Sequence, residues 1–588
     1  MEIFDVLTLF CGLALFLYGM DVMGDALKKS AGNSLKLILG KMTSSPLRGF
    51  ILGLAVTAVI QSSSATTVMV VGFVNSGTMT LLQSVGVIMG ANVGTAVTAW
   101  LTGLSSIGEG GSTLEIIKWL KPDSWMPILA VIGICLLMFA KRSKQKGVGH
   151  ILLGFAVLMV GMNLMSDAVS GLKGDEGFKS ILTMFENPIL GLLAGLVLTV
   201  IVQSSSASVG ILQSLSITGA ISFGAAIPII MGQNIGTCVT ALISSIGANR
   251  NGKRAAMIHL YFNVIGVVVW LSIYYIVNAI FGLIPADAPI NAWGIAGVHT
   301  VFKILSVIAI APFYRQLEKL AHVTVREKAN GNESTNRLDE RLFRTPSIAV
   351  EQATEVAYDM ADISVLALKK SLLLLDEYDV KIADEVRDLE DKADKYEDML
   401  GSYLVKLSSH GLGEQDTIQV TKLLHIIGDL ERISDHSVNI AESAEEMKDK
   451  KINFSAMASA EIKVMSSAIN EILDITLESF KNNDLVSASN VEPIEQVVDE
   501  LRDQIKLNHI LRLQKSECTI EHGFVLNDLL TNLERVSDHC SNVAGCVIEI
   551  SEFDALDMHK YLDDIREGGG EYQEKFNFYK NKYTIEKV

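Results

Sequence analysis

Two short polar clusters of nearly identical composition interrupt long apolar stretches of the sequence. QSSSATT begins at Gln61 and QSSSAS begins at Gln203. Hydroxyl and amide oxygens can coordinate an alkali cation, while O–H and N–H groups can donate hydrogen bonds to an anion. Neither cluster carries a charge, so a multivalent anion held by them would need its charge offset, for example by co-bound cations. The clusters therefore predict joint binding of an anion and cations.

The two clusters belong to an internal repeat with an offset of 142 residues. GANVGTAVT from Gly90 matches GQNIGTCVT from Gly232, and GMDVMGDA from Gly19 matches GMNLMSDA from Gly161. A repeat held in register over this length is a strong indication of two equivalent structural units. The alternative interpretation of a single cluster is that Ser, Thr and Gly serve only as packing residues and interhelical hydrogen bonds in a membrane.

Several apolar segments are long enough to cross a hydrocarbon core of roughly 30 Å, which takes about 20 residues. Two others, residues 49–60 and 188–202, are too short and run directly into the QSSS clusters. A short helix, a polar tip and a second short helix predict a re-entrant hairpin, whose broken backbone must be surrounded by protein or water. The predicted spans are residues 3–20, 81–104, 126–140, 151–165, 220–246, 257–284 and 293–314.

The distribution of Lys and Arg predicts the orientation of these spans. With Met1 outside, the inner segments carry 12 basic residues and the outer segments carry 4. The leading helices of the two repeats then run in opposite directions, so the repeats are predicted to be inverted. Inverted repeats with broken helices near the midplane are a recurrent architecture of secondary transporters. This orientation places the C-terminal part in the cytosol.

Charge divides the chain into two unlike parts. Residues 1–320 have a net charge of +6 and residues 321–588 one of −23, which together give the −17 of the whole chain. The acidic part excludes a nucleic-acid binder on charge grounds. Its scattered cysteines are expected to be free thiols. The predicted domains are 1–320 in the membrane (repeat one about 3–104, repeat two about 151–246, extra spans 257–314), a linker at 321–346, a helical domain at 347–553 and a tail at 554–588.

The acidic part contains a second internal repeat with paired carboxylates. DLERISDHSVNIAE from Asp429 matches NLERVSDHCSNVAG from Asn532, and each half predicts a three-helix bundle. The spacing E-x-x-x-D puts both carboxylates on one helix face, where a cation would offset their repulsion. A solvated acidic face is the alternative interpretation. The candidate metal ligands are Glu390, Asp394, Glu431, Asp435, Glu495, Asp499, Glu534 and Asp538.

Q-S-S-S followed by G-x-N-x-G-T, occurring twice, resembles the sodium/phosphate cotransporter family of type II carriers and their bacterial relatives. The resemblance covers residues 3–314 and implies sodium-driven movement of inorganic phosphate by alternating access. HLYFN at 259–263 and HTVFK at 299–303 resemble the H-x-x-F-N element of that family, but Lys303 stands where Asn is expected. Its ammonium could take a cation position, or it could snorkel or pair locally.

The acidic part, from Ser347 to Phe553, resembles the PhoU family of phosphate-regulatory proteins, whose two three-helix bundles carry E/D-x-x-x-D motifs that can bind metal clusters. This resemblance implies a regulatory role and a divalent or iron-type metal, without fixing the metal's identity. His436 and His539 lie beside these motifs. They are candidate ligands or structural histidines.

The sequence thus predicts an all-α protein: a polytopic membrane domain of two inverted repeats with re-entrant hairpins, then a cytosolic domain of two three-helix bundles. The expected function is sodium-coupled phosphate transport across the cytoplasmic membrane, without enzymatic activity. A membrane-anchored phosphate sensor and an uncoupled phosphate channel or exporter are the alternatives. The expected partners are phosphate, sodium and membrane lipid, with no nucleic acid and with a homodimer left open. The residues expected to bind phosphate and sodium are Gln61, Ser62, Ser63, Ser64, Thr66, Asn92, Thr95, Gln203, Ser204, Ser205, Ser206, Asn234, Thr237, Asn263 and Lys303.

Overall fold

The computed structural model describes residues 3–42, 45–104, 122–172, 175–282, 285–326, 337–552 and 570–585. Apart from one β-bridge between Ser222 and Pro289, the regular structure within these ranges is helical. The chain divides into two compact units, Met1–Ala349 and Val350–Val588. The all-helical class expected from the sequence is confirmed.

The first unit contains fourteen α-helices in the residues described. They are α1 (Ile3–Met42), α2 (Pro46–Ile60), α3 (Ser63–Asn75), α4 (Leu81–Gly103), α5 (Pro122–Phe139), α6 (Ser143–Ser170), α7 (Glu176–Thr183), α8 (Pro188–Val202), α9 (Ser205–Ser216), α10 (Phe223–Gly236), α11 (Cys238–Ser244), α12 (Arg250–Phe281), α13 (Ala292–Ile310) and α14 (Tyr314–Thr324).

Six stretches of the described chain are helical, long and apolar enough to cross a membrane: Ile3–Ser30, Leu81–Gly103, Lys144–Ser170, Phe223–Ser244, Arg250–Phe281 and Ala292–Thr324. The predicted span at residues 126–140 forms a shorter apolar helix, Ser124–Phe139. The segment Glu176–Glu186 meets Pro188–Val202 at a bend of 102° and together they are long enough for one further span. Prediction and structure therefore agree on most of the long apolar elements and differ at these two.

Both QSSS clusters lie at a break between two helices, and the two breaks are built alike. α2 and α8 each begin with a proline in the first turn behind an N-cap side chain, Ser45 or Asn187. Each ends at a glutamine in the left-handed conformation, Gln61 with φ 58° and Gln203 with φ 55°. α3 and α9 then start afresh two residues later. The repeated sequence thus folds into a repeated local structure.

Glycines bring the helices of each repeat into close contact. A Cβ atom on Gly53 in α2 would lie 2.0 Å from the Val87 carbonyl oxygen in α4. One on Gly195 in α8 would lie 2.0 Å from the Ile229 carbonyl oxygen in α10. No side chain fits at such a distance, so both breaks are held against the neighbouring long helix by backbone-to-backbone packing.

The leading helices of the two repeats, α1 and α6, cross each other through glycines. A Cβ atom on Gly12 would lie 2.8 Å from the Gly161 carbonyl oxygen, and one on Gly19 would lie 2.6 Å from the Gly154 carbonyl oxygen. The earlier glycine of α1 therefore meets the later glycine of α6. The two helices run antiparallel at this crossing.

The second unit consists of two sets of three long helices, with a further short helix and a C-terminal helix. A buried ion pair joins α18 to α20: Arg512 donates to both carboxylate oxygens of Glu461 at 2.9 and 2.7 Å, and Asn508 donates to the same carboxylate at 2.7 Å. The bounds are α15 (Pro346–Leu373), α16 (Val380–Ser408) and α17 (Glu414–Asp449) in the first set, then α18 (Ala456–Asn482), α19 (Leu485–Ala488), α20 (Val491–Gln514), α21 (Ile520–Glu552) and α22 (Gly570–Lys582).

Two histidines at equivalent positions of the internal repeat, His436 and His539, join the two halves of this unit. His436 Nδ1 lies 2.9 Å from Asn532 Oδ1, and His539 Nδ1 lies 2.8 Å from Asp429 Oδ1. The rings stack with centroids 5.7 Å apart. Asn532 and Asp429 are equivalent positions in the repeat, so the same contact is made in both directions. Their hydrogen bonds give both histidines a structural role between α17 and α21.

Candidate functional site

The two helix breaks of the first unit line a single cavity of about 360 Å³. Both QSSS clusters contribute to its wall, although they are 142 residues apart in the sequence. The remaining wall comes from α1 and from the last residues of α2 and α8. The lining residues are Leu17, Met20, Asp21, Gly24, Lys28, Ile60, Gln61, Ser62, Ser63, Ser64, Val202, Gln203, Ser204, Ser205 and Ser206.

Each cluster places the N-terminus of a helix at this cavity. Ser62 caps α3 by accepting a hydrogen bond from the Ala65 amide at 3.2 Å, and Ser204 caps α9 by accepting from the Ala207 amide at 3.2 Å. The first amides of a helix have no partner within the helix, and the helix dipole makes this end partially positive. Two such ends facing one cavity, together with serine hydroxyls, form a wall that suits an anion.

A layer of hydroxyl groups behind the cavity holds each break in shape. Thr57 in α2 donates to Thr66 Oγ1 at 3.0 Å, and the equivalent Thr199 in α8 donates to Ser208 Oγ at 3.0 Å. Thr66 also donates to the Ser62 carbonyl oxygen at 3.1 Å. Thr66 was expected among the binding residues, and the structure places its hydroxyl behind the cavity wall.

The two glutamines differ in their surroundings. Gln61 is buried, and its Oε1 accepts a hydrogen bond of 2.9 Å from Thr98 in α4. Its Nε2 donates to the Ala58 carbonyl oxygen. Gln203 is exposed. The two copies of the cluster therefore differ in the exposure of their glutamine side chain.

Two charged residues of α1 line the cavity and were missed at the sequence level. Asp21 is exposed, whereas Lys28 is partly buried and makes an ion pair of 2.8 Å with Asp25. Both lie in or just after the duplicated segment GMDVMGDA, in which Asp21 replaces the Asn163 of the second copy. This difference between the copies was the signal that could have identified Asp21.

Four further candidates, Asn92, Thr95, Asn234 and Thr237, are buried within or at the end of helices α4 and α10. Asn92 donates to the Ile88 carbonyl oxygen at 3.2 Å and Thr95 to that of Ala91 at 3.1 Å, so both groups bond within α4. The residues of the described chain that line the cavity do not include Asn92, Thr95, Asn234 or Thr237.

A second buried polar group surrounds the α10–α11 break. Asn234 donates to Asn263 Oδ1 at 2.7 Å, and Asn263 donates to Cys238 Sγ at 3.1 Å. Asn234 Oδ1 has no hydrogen-bond partner within the described residues. The structure thus brings Asn234 and Asn263 together, apart from the QSSS cavity.

Lys303 belongs to this second group. Its side chain in α13 is 2% exposed, and its charge interacts with Cys238, His259 and His299. Both histidines have an Nδ1 atom without a hydrogen-bond partner in the part of the chain that is described. No hydrogen bond or ion pair joins Lys303 to another described side chain.

The acidic motifs of the second unit assemble within each half. Burial, followed by the negative charge of Asp435, raises the pKa of Glu390. Burial and the same aspartate raise the pKa of Glu431. The carboxylates of α16 and α17 therefore lie close enough to repel one another.

In the second half, a basic residue, Arg502, lies among the corresponding carboxylates. Arg502 Nη1 lies 2.7 Å from Glu534 Oε1 and 3.1 Å from Asp499 Oδ1. At the offset of 105 residues that relates these helices, the equivalent position in the first half is Glu397. Burial and the charge of Glu534 raise the pKa of Asp538 to about 6. The guanidinium of Arg502 offsets part of the negative charge of these carboxylates, as a metal cation would.

Within the described residues, no three Asp, Glu, His or Cys side chains are arranged so that they could hold a metal ion. The carboxylate oxygens of the first half are suitable donors for a hard cation. Those of the second half are neutralised in part by Arg502, so they fit such a cation less well.

The sequence matches two family models. Residues 15–167 and 157–284 match the Na+/Pi-cotransporter family, and residues 357–444 and 462–547 match the PhoU domain. Each model matches twice, in agreement with the two internal repeats. The first pair of matches lies in the first structural unit and the second pair in the second unit.

Curated relatives cover either the whole chain or its membrane part. YjbB of Escherichia coli O157:H7, described as a candidate inorganic phosphate export protein, is 23% identical over 92% of this chain and 97% of its own length. YqeW of Bacillus subtilis is 28% identical over 55% of this chain and 99% of its own length. Sodium-dependent phosphate transport protein 2B of Pongo abelii is 35% identical over 27% of this chain and 22% of its own length.

Among solved structures, PhoU from Pseudomonas aeruginosa aligns with 34% of this chain and 96% of its own, at 20% identity and a TM-score of 0.33. The family matches, the duplicated QSSS and G-x-N-x-G-T motifs and the helical architecture agree with one another. The chain belongs to the sodium/phosphate cotransporter family through its membrane part and carries a C-terminal PhoU domain.

Proposed function

We propose that this protein is a sodium-coupled secondary transporter of inorganic phosphate in the cytoplasmic membrane. The observation that carries the proposal is the meeting of the two QSSS clusters at one cavity. Packing residues alone would not need to converge on a common space from two separate repeats. The cavity offers donors for an anion and oxygen atoms for cations at the same place.

Phosphate is held by donors from both repeats. The N-termini of α3 and α9 and the hydroxyls of Ser63 and Ser205 supply hydrogen bonds, and Lys28 supplies a nearby positive charge. Lys28 is already paired with Asp25, so its charge only partly offsets that of phosphate. Sodium ions bound beside the anion complete the neutralisation, which makes binding of the two solutes mutually dependent.

Sodium is held by uncharged oxygens and by one carboxylate. Gln61, Gln203 and the serine hydroxyls line the cavity, and Asp21 adds a charged oxygen. Asn92, Thr95, Asn234, Thr237 and Asn263 do not line this cavity and are proposed to take part when the repeats move. All of these assignments extend the family resemblance to individual residues of this chain.

Alternating access arises from two inverted repeats that tilt against each other. The antiparallel glycine crossing of α1 and α6 supports the inversion, because equivalent helices of inverted repeats run in opposite directions. The excess of Lys and Arg in the inner segments supports an external N-terminus. The PhoU domain then lies in the cytosol, where it would regulate transport. The domain boundaries are those given for the sequence, with 1–320 as the transporter.

Lys303, in the extra spans that follow the second repeat, takes the place of a sodium ion. A buried ammonium that interacts with Cys238, a hydrogen-bond partner of Asn263, supplies a positive charge where the family pattern has an asparagine. The variant Lys303→Asn should therefore carry more sodium per phosphate than the wild type. An unchanged sodium dependence of phosphate flux in this variant would leave Lys303 with a structural role only.

In the PhoU domain, the carboxylates Glu390, Asp394, Glu431 and Asp435 are the set that would hold a divalent or iron-type cation. Arg502 makes the second set, Glu495, Asp499, Glu534 and Asp538, a poorer site. Metal analysis of the purified full chain should find one occupied half, and Arg502→Glu should raise the metal content. Equal content in both proteins would contradict this assignment.

Radiolabelled phosphate flux in proteoliposomes tests the proposed function against its alternatives. A sodium gradient should drive accumulation of phosphate above its equilibrium level, whereas an equal potassium gradient should not. Flux that is independent of sodium would indicate a channel, and absence of flux would indicate a sensor. Inward and outward gradients should be compared, because the relation to YjbB favours export as the physiological direction.

A further inference from the structure

A short segment between the membrane helices and the PhoU domain is packed into the membrane unit. Leu338, Asp339, Leu342 and Phe343 are between 0% and 7% exposed. They lie within residues 321–346, which the sequence suggested as a linker. Residues 338–343 are called the clasp below. A simple linker would leave these side chains in solvent, so their burial requires another explanation.

The clasp binds the C-terminal end of α3. Asn75, the last residue of α3, donates to Asp339 Oδ2 at 2.7 Å, and both side chains are buried. Asn75 Oδ1 in turn accepts from the Asn249 amide at 2.6 Å, and Asn249 Nδ2 donates to the Asn75 carbonyl oxygen at 2.7 Å. Asn249 caps α12. A continuous chain of hydrogen bonds thus joins the clasp, α3 and the start of α12.

The clasp also closes the end of α11. Arg341 donates through Nε to the Ser244 carbonyl oxygen at 2.5 Å and through Nη2 to the Ile246 carbonyl oxygen at 3.0 Å. Its Nη1 pairs with Asp339 Oδ2 at 2.8 Å. The last carbonyls of a helix have no partner within the helix, and a cation there is stabilised by the helix dipole. Arg341 therefore ties the clasp to repeat two.

An apolar contact fixes the clasp against the middle of α3. A Cβ atom on Gly72 would lie 2.9 Å from Leu342 Cδ2, and Leu342 is fully buried. The clasp consequently touches α3 through both a side-chain contact and a hydrogen bond. The repeat partner of α3, helix α9, has Ile217 at the position equivalent to Asn75, so this attachment has no copy in the second repeat.

We propose that the clasp positions the first half-site of the transporter. α3 begins at Ser63, beside the cavity, and ends at Asn75, on the clasp. Any movement of α3 relative to α11 and α12 must stretch or break the contacts of Asp339 and Arg341. The clasp therefore sets how readily repeat one moves against repeat two. This inference rests on the proposed alternating access, and because α15 starts at Pro346, it gives the PhoU domain a route to the site.

A charge exchange between Asn75 and Asp339 tests the clasp in the full-length protein. Asn75→Asp places two carboxylates at a 2.7 Å contact and should open the clasp. Asp339→Asn places two amide side chains at the same contact. The double variant restores one amide and one carboxylate with their roles exchanged. Phosphate flux in proteoliposomes and the melting temperature are measured for all three, with Arg344→Ala as the control, since Arg344 is an exposed residue of the same turn.

Each single variant should change the maximal flux by at least about threefold, the equivalent of one hydrogen bond, with an unaltered KM for phosphate. The double variant should regain flux relative to Asn75→Asp, although it still lacks the ion pair between Asp339 and Arg341. Arg344→Ala should not differ from the wild type. Wild-type flux in a folded Asn75→Asp protein would overturn the proposal. So would a double variant that regains its melting temperature but not its flux. If Asn75→Asp does not fold, the flux of Leu342→Ala, which removes the apolar contact of the clasp with α3, is compared with that of the wild type instead. An inactive wild type would instead refute the proposed function.

Discussion

Gln61 and Gln203 hold a backbone conformation that non-glycine residues rarely adopt. Both have a positive φ at the end of a half-length helix, one in each repeat. A left-handed residue costs of order 1 kcal/mol or more and persists where the surrounding structure imposes it, often at functional sites. Glycine would occupy the position at lower cost. We therefore expect the glutamine side chain, rather than the backbone conformation, to be what the proposed site requires.

Replacing either glutamine by alanine should abolish sodium-driven phosphate flux while the protein still folds. Gln61→Ala removes the acceptor of the Thr98 hydrogen bond as well as a cavity oxygen, so it should also lower the melting temperature slightly. Gln203→Ala should not lower it, because Gln203 is exposed. Flux assays and thermal melts of both variants, with the exposed Gln145→Ala as control, check this. Normal flux in both glutamine variants would refute the site assignment.

Lys422 gives the PhoU domain a predicted pH dependence. Burial lowers the pKa of Lys422 from its ordinary 10.5 to about 8, and its ammonium donates to Asn483 Oδ1 at 2.8 Å. Below pH 8 the folded protein carries a desolvated charge. As the pH rises from 8 towards 10.5, the folded state loses this proton before the unfolded state does, so folding becomes more favourable.

The variant Lys422→Met should therefore be more stable than the wild type at neutral pH. The expected gain is roughly 2 kcal/mol, which is the cost of burying the charge less the value of the lost hydrogen bond to Asn483. The difference should shrink as the pH approaches 10.5. Denaturation of the full chain across this pH range measures it, with the exposed Lys381→Met as control. A difference that does not vary with pH would show that Lys422 is not the titrating group.

At the scale of the helices, close backbone packing keeps each QSSS break next to its long partner helix. Gly53→Ala and Gly195→Ala each place a Cβ atom about 2.0 Å from a carbonyl oxygen of the partner. Both should destabilise the protein by at least about 1–3 kcal/mol, the usual cost of overpacking. Gly171→Ala is the matched control, because no atom lies within 4 Å of the added Cβ. Unchanged melting temperatures in the first two would mean that these helices can separate freely.

The helix breaks were predictable from the sequence because their signals are local. A proline start, a half-length apolar run and a capping serine after Gln61 or Gln203 define each break without knowledge of the rest of the chain. The repeat then predicted that the two breaks share a site. The orientation of Thr66 away from the cavity was not predictable, because it depends on a contact with Thr57 in another helix.

Other features of the site required the tertiary structure. Asp21 reaches the cavity because α1 crosses beside both breaks, which no local pattern encodes. Arg502 is flanked by acidic residues in the sequence, but its ion pair with Glu534 depends on the packing of α20 on α21, which the local sequence does not show. The clasp looked like a linker because the groups that hold it in place, such as Asn75 and the Ser244 carbonyl oxygen, are more than 90 residues away in the sequence.

At the scale of the whole molecule, the clasp leads directly into the first helix of the PhoU domain. Insertion of four Gly and Ser residues between Thr345 and Pro346 makes the connection between the clasp and α15 flexible. The insertion should change the maximal phosphate flux, because it uncouples α15 from the clasp and therefore from α3. Flux of the full-length insertion variant measures this. Wild-type flux would mean that the PhoU domain acts on transport by another route.

Coupling of two solutes at one site is the central claim, and reciprocal flux is its most direct test. Linkage requires that a phosphate gradient drive sodium just as a sodium gradient drives phosphate. Proteoliposomes with the full-length protein and equal sodium on both sides are given a phosphate gradient, and movement of ²²Na+ is followed. We expect net sodium flux along the phosphate gradient, absent with Gln61→Ala. Phosphate movement without any net movement of sodium would contradict the account.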